Sequence, residues 1–267
     1  MSNPNFCDIY GYSAHPLRLV FMIGSVWYLT KVFPNKKLNL LEIGSWCGAS
    51  ALTWGEAIEI HNQGIGGLTC VDAWEPFIDL SINSDAPNLQ MHSLLKTEEP
   101  YNIFKNNMQF FPKSVDLKIL RGWSQKVLPT LLKEEFDLVY IDGDHCYESI
   151  VDDIRLSSRL VADGGIICGD DLELQSHNVD ASIAKENLRL DKYYSEEFDM
   201  TYHPGVTLAV GDMFGPVSSW AGFWAMQKNG SDWDHVSLEG MPPHMPSNLS
   251  SKNLVGLKSL FMQHGLI

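Results

Sequence analysis

Positive charge is scarce in this chain. Its 267 residues hold 19 Lys and Arg against 33 Asp and Glu, a formal net charge of −14. Such a balance lacks the basic patches that neutralise phosphates, which excludes nucleic acid as the expected partner. Cysteine is sparse too: there are five, an odd number, without the paired spacing of a zinc site. Cys7, Cys47, Cys70, Cys146 and Cys168 read as reduced thiols of a cytoplasmic protein. There is no apolar run that would span a bilayer, since Leu17 to Phe33 is short and carries Arg18 and Lys31. The start, MSNPNFCDIYGY, has no basic segment leading into an apolar one, so neither a signal peptide nor a membrane partner is expected. Internal repeats and composition-biased linkers are absent. One domain over residues 1–267 is therefore expected, and a homo-oligomer is compatible with it. Two phosphate-binding patterns are missing as well. No G-x-G-x-x-G follows the first strand, and no Lys-Ser/Thr follows its glycines.

What is present centres on Phe136 to Glu173. Phe136 to Ile141 is a short apolar run of β-forming residues, which predicts a buried strand ending on Asp142-Gly143-Asp144-His145. Ile150, Ile154 and Val161 follow at near-helical spacing, and Ala162 to Gly165 is expected to stop that helix. Ile166 to Cys168 is a second apolar strand, ending on Gly169-Asp170-Asp171. A strand–helix–strand of this length makes a right-handed parallel unit whose strands finish at one sheet edge. Asp142, Asp144, Asp170 and Asp171 then meet at the edge where open α/β sheets bind ligands. Asp144 or Asp171 alone would read as a helix cap. As a set, the four acids call for a cation, a proton or hydrogen-bond donors between them.

The rest of the chain predicts an α/β succession. A helix is expected from Leu17 to Phe33 with Leu17, Val20, Phe21, Gly24, Trp27 and Tyr28 inward. Strands are expected at 38–43, 68–71 and 115–120, and helices at 49–59, 101–111 and 127–132. Two insertions, at about 73–114 and 174–202, are expected to cover the active edge, with Ser81 to Gln90 an exposed flap. Val206 to Phe214 reads as a helix, Ala221 to Gln227 as an edge strand, Ser231 to Ser251 as a loop and Leu254 to His264 as a short terminal helix.

The segment Leu40-Leu41-Glu42-Ile43-Gly44-Ser45-Trp46-Cys47-Gly48-Ala49-Ser50 is a strand, a glycine turn and a helix start. Its glycines allow a ligand close to the backbone, and the helix start offers free N–H groups. Asp72, ending the next strand, is placed to accept both hydroxyls of a ribose. Its bland alternative is a solvated loop acid. Trp46 and Trp74 are candidates to stack on a ligand, against the commoner role of packing.

The ordered set E-I-G-S-W-C-G-A-S, V-D, G-W-S-Q-K-V-L-P, D-L-V-Y-I-D-G-D-H and G-G-I-I-C-G-D-D resembles the class I S-adenosylmethionine (SAM) methyltransferases. It is most similar to the catechol and caffeoyl-CoA O-methyltransferases and the macrocin-type sugar O-methyltransferases, over roughly Leu38 to Asp171. The resemblance implies a Rossmann-like, doubly wound α/β fold: a mostly parallel seven-stranded sheet, helices on both faces, and the last strand antiparallel. It implies that Gly44, Trp46 and Ser50 surround the methionine part of SAM, Asp72 takes the ribose, and Ser124 and Gln125 border the adenine. Glu42, Ser45, Gly48, Trp74, Gly122, Trp123 and Asp142 complete the implied cofactor-binding set. Asp142, Asp170 and Asp171 match the family's divalent-metal ligands, though its third ligand is often Asn. His145 falls where the catechol-type enzymes carry a Lys base.

An all-oxygen site suits Mg²⁺, Mn²⁺ or Ca²⁺. A metal-bound diol would be oriented and acidified, and His145 could accept the proton, with His177 and His203 as rival bases. The expected activity is metal-assisted O-methylation of a small hydroxylated molecule such as a sugar, glycoside or phenol. The competing readings are a metal-independent methyltransferase and a SAM- or nucleotide-binding partner without turnover.

Overall fold

The computed structural model describes residues 4–6, 17–248 and 259. The first half of the chain supplies α1 (Leu17–Val32), β1 (Leu38–Ile43), α2 (Ala49–His61), β2 (Gly66–Asp72), α3 (Ala86–Leu95), α4 (Glu99–Asn107) and β3 (Asp116–Arg121). Then come α5 (Ser124–Val127), β4 (Phe136–Ile141), α6 (Tyr147–Ser158), β5 (Val161–Leu172) and α7 (Ala181–Glu186). A small hairpin of β6 (Tyr193–Ser195) and β7 (Met200–Tyr202) precedes α8 (Pro204–Phe214), β8 (Ser218–Trp220), β9 (Gly222–Asn229) and β10 (Asp232–His235).

The main sheet runs β10-β9-β5-β4-β1-β2-β3, with β8 also on β9. Strands β3, β2, β1, β4 and β5 are mutually parallel, and β9 is antiparallel to β5. β8 and β10 pair with successive halves of the far side of β9, so eight strands fill seven places. β1 and β4 are buried almost throughout, as continuous apolar strands covered on both faces must be. One apolar cluster lies on each side of the sheet. The chain winds from β1 outward to β3, then crosses back to β4 beside β1. The crevice between those two strands is the switch point of a doubly wound sheet.

Several local expectations are corrected. β9 is an interior strand, not an edge, because β8 and β10 cover its outer side; Gly222 to Met226 are all buried. Part of the expected 231–251 loop is β10. Val161 does not belong to the preceding helix. That helix ends at Ser158, and Val161 already pairs with Phe136, so β5 is long. The expected 127–132 helix is one α-turn followed by a 3₁₀ turn at Leu128–Thr130. The inward side of α1 is Leu19, Val20, Met22, Ile23, Val26 and Leu29, while Phe21, Trp27 and Tyr28 are only half-buried. An apolar helix packed against α2 on one side and the segment around Leu238 on another has no single stripe to read. The segment 81–90 is not a free flap. Asp85 caps α3 through the Asn88 N–H (3.2 Å), and Asn83 and Asn88 are buried. Residues 254–264 lie outside the described set, apart from Ser259 in a helical conformation.

Candidate active site

The walls of the crevice begin with backbone. The Gly44 N–H donates to the Val71 carbonyl and the Asp142 N–H to the Ile43 carbonyl, both at 2.9 Å. These bonds set the β1 and β4 loops side by side. A Cβ on Gly44 would overlap the Asp142 carbonyl, and its φ of 86° also requires glycine. Trp46, at φ 43°, carries the turn onward to Gly48 at φ 88°. Asp72 fixes this curl: its Oδ2 accepts the Trp46 N–H at 2.8 Å and its Oδ1 the Trp74 N–H at 2.6 Å. Burial raises the Asp72 pKa, and the N–H groups of Trp74, Trp46 and Ser45 offset part of the rise.

These loops open into one cavity of about 1030 Å³. Gly44, Ser45, Trp46, Ser50, Asp72 and Asp142 all line it. So do Gly122, Trp123, Ser124 and Gln125 at the end of β3. Three expected cofactor contacts lie elsewhere. Trp74 is only 2% exposed and packs on Tyr101 and Phe104, with its indole N–H on the Trp46 carbonyl at 2.7 Å. It is core. Gly48 faces Phe104 and Met108, which a Cβ there would crowd. Glu42 is wholly buried beneath the turn, and burial lifts its carboxyl to about 7.

On the other side, the β4 and β5 ends bring the acids together as the parallel pairing of Ile141 with Gly169 requires. The Tyr140 hydroxyl donates to Asp142 Oδ2 at 3.0 Å and lies 3.3 Å from Asp170 Oδ2. The Arg18 guanidinium, from the first turn of α1, pairs with Asp170 and lies 3.2 Å from Asp171 Oδ1. Burial would lower the Arg18 pKa, but Asp170 and Asp171 raise it, so Arg18 is a fixed cation. Burial and the two neighbouring aspartates push Asp142 well up. Asp171 is held far below its usual range: burial opposes this, but His203, His145 and Arg18 overcome it.

His145 sits between two carboxylates, Asp191 at Nδ1 (2.6 Å) and Asp171 at Nε2 (3.0 Å). Burial works against its charged form, yet these acids raise its pKa well above the usual value, so it stands as an imidazolium. His203 lies edge-on to it, with ring centroids 4.6 Å apart. Its Nδ1 meets Glu173 Oε2 at 3.0 Å, and its buried Nε2 has no partner among the described residues. His145, Asp171 and His203 also bring one donor atom each within 4.8 Å of one another. His177 is in a 3₁₀ turn outside the cavity wall. The two covering segments are tied together here: Asn83 bonds the Arg189 carbonyl (2.9 Å) and Asp191 N–H (2.8 Å), and Asn88 bonds Asp191 Oδ2 (3.1 Å).

Sequence reasoning missed Arg18, Tyr140, Asp153 and Asp191. Arg18 had a visible signal, a charge in the first turn of a helix that is otherwise apolar up to Lys31. So did Asp153, an acid three residues after Ile150 on the inward side of α6. It lines the cavity while 2% exposed, its Oδ1 has no partner among the described residues, and burial lifts its carboxyl to about 7. Tyr140 and Asp191 gave no local signal.

Residues 41–172 match a family described as a methyltransferase domain. An uncharacterized protein of Acanthamoeba polyphaga mimivirus is 26% identical over 147 residues, a match covering 54% of this chain and 56% of that one. The chain thus spans about half the length of the curated relative it matches. Among solved structures, the O-methyltransferase NovP aligns with a TM-score of 0.52 and 19% identity over 79% of each chain. The O-methyltransferase TomG from Streptomyces achromogenes, in complex with SAM, aligns with a TM-score of 0.48 and 14% identity, over 83% of this chain and 82% of that chain.

Proposed function

From the premise that residues 41–172 belong to this methyltransferase family and the sheet has the class I architecture, we propose that the protein is a SAM-dependent O-methyltransferase of a small hydroxylated molecule. One observation carries the reading. The glycine turn, Asp72, the Gly122–Gln125 loop and the acid–histidine cluster all face a single cavity at the switch point. Its volume of about 1030 Å³ leaves room for an acceptor beside a nucleoside cofactor.

The residues fit SAM. Asp72 keeps lone-pair capacity for ribose hydroxyls beside the backbone N–H groups it accepts, and Asp153 Oδ1, without a partner among the described residues, lies in the wall beside the adenine-side loop. SAM supplies an activated methyl group on a sulfonium. The chain's own residues bind and orient it, align an acceptor oxygen, exclude water and take up that oxygen's proton.

His145 and His203 both reach the acceptor side, and the geometry favours His203 as the base. In the neutral ring a Glu173 carboxylate would accept from Nδ1–H, so Nε2 would be the nitrogen that takes up the acceptor's proton. His145, an imidazolium with both nitrogens on carboxylates, holds the charge balance and must give up a proton before it can accept one.

The oxygens of Asp142, Asp170 and Asp171 suit Mg²⁺, Mn²⁺ or Ca²⁺ by donor type, and these residues would hold the ion. Such an ion would lower the pKa of an acceptor hydroxyl. Arg18 stands between two of the three acids, and that observation favours the metal-independent reading as the alternative.

The test is calorimetric titration of SAM and S-adenosylhomocysteine, followed by a screen of diols, sugars and phenols for methylated product. Micromolar SAM binding with turnover of a hydroxylated acceptor is expected. NADH binding tighter than SAM would overturn the reading, and SAM binding without turnover on any acceptor would favour a binding partner.

A further inference from the structure

Arg18 is separated from the acids by most of the sheet's sequence, yet only 11% of its side chain is exposed and its guanidinium reaches both Asp170 and Asp171. One nitrogen, Nη1, makes both contacts, while the buried Nε has no acceptor among the described residues. Asp170 Oδ2, the oxygen that meets Arg18, is also the one facing the Tyr140 hydroxyl and, through it, Asp142 Oδ2. The guanidinium therefore occupies the ground where a cation shared by the acids would sit.

Electrostatics restricts what can happen there. Buried carboxylates gathered at one sheet edge favour a cation among them. A divalent ion and a guanidinium on the same oxygens would repel each other, because side chains this buried are weakly screened. Arg18 also lines the cavity, so its long side chain has open space to move into. A guanidinium with a buried, unmet donor gives up less on leaving than a fully bonded one would.

We propose that Arg18 is a resident counter-ion that competes with a divalent cation for Asp170 and Asp171, so that Arg18 pairing and cation binding exclude each other. This rests on the metal-assisted reading above. In the metal-free protein Arg18 keeps the acidic edge closed and balanced; when the ion arrives, Arg18 withdraws into the cavity. Arg18 thereby sets the threshold cation concentration for a competent site.

The experiment is calorimetric titration of Mn²⁺ into chelator-treated wild type, Arg18→Gln and Arg18→Lys. Arg18→Gln should bind Mn²⁺ about tenfold more tightly or better, and Arg18→Lys, which restores the charge, should return toward wild type. Amide exchange at Leu19 to Ile23 in the wild type should quicken when Mn²⁺ is added. Equal Mn²⁺ affinity in wild type and Arg18→Gln overturns the competition but leaves the metal reading standing. No Mn²⁺ binding by any of the three overturns both and makes Arg18 the permanent cation. If Arg18→Gln does not fold, the exchange measurement decides: Mn²⁺ binding without faster exchange at α1 overturns the proposal.

Discussion

On the β1–β2 side of the cavity, the contacts that shape the wall join residues near one another along the chain or on adjacent strands. Asp72 bonds the N–H groups of Trp46 and Trp74, and Gly44 bonds Val71. On the β4–β5 side the wall is held by side-chain charge brought from far away. Arg18 reaches Asp170 across 152 residues and Asp191 reaches His145 across 46. The first side is backbone geometry with one carboxylate at its centre. The second is an ion network whose members hold one another's charge states. A change on the first side should therefore alter ligand affinity and local shape, while a change on the second should alter the stability of the whole edge.

The largest effect should come from Asp170→Ala. It strips a buried guanidinium of its main partner, and breaking such a pair costs about 3–5 kcal/mol. Urea unfolding would show the midpoint falling steeply. A change under about 1 kcal/mol would mean that Asp171 alone balances Arg18.

Next in size is the pH response of Glu42 on the backbone side. Burial raises its carboxyl from 4.5 to about 7, with Asp72 adding to the rise and Ser50, Ser45 and Cys70 opposing it. The folded state thus holds this proton more tightly than the unfolded one. Its contribution is fully present below the unfolded pKa of 4.5 and is lost as pH rises through about 7. Glu42→Gln, which cannot ionise, should be more stable relative to wild type at pH 8 than at pH 5, by a few kcal/mol at most. Thermal melts at the two pH values check this, and parallel curves would refute it.

A smaller change is expected from Asp72→Ala. It should weaken SAM about tenfold through lost hydrogen bonds to a charged acceptor. Calorimetry should show that loss with little change in Mn²⁺ affinity, because the two sides are built independently. Coupled losses would break the comparison. Least of all, Lys37→Ala, which removes an exposed ion pair to Asp116 (2.6 Å), should shift stability by under about 1 kcal/mol in thermal melts.

The contrast also explains what was legible beforehand. β1 and β4 were read at their observed limits because continuous apolar runs between turn residues have few alternatives. The meeting of Asp142 with Asp170 followed from the parallel strand–helix–strand connection, which ends both strands at one edge. The interior position of β9 was missed because β8 and β10, which cover it, are only three and four residues long. For Trp74 packing was the commoner of the two roles weighed, but its partners Tyr101 and Phe104 arrive from a helix that local pattern cannot dock.

Sequence by itself determined the parallel strand–helix–strand unit, the glycine turn after the first strand and the acids at the strand ends, while the doubly wound sheet came from the family resemblance. Hydrophobic period, turn chemistry and the parallel crossover are local rules that few alternatives satisfy in these segments. Only the tertiary structure decided what balances those acids. Which cation reaches a carboxylate depends on where α1 and the 174–202 segment come to rest, and charge carries no periodicity along the chain that could announce it. Arg18 read as an interruption in an apolar helix; folding made it the partner of Asp170 and Asp171.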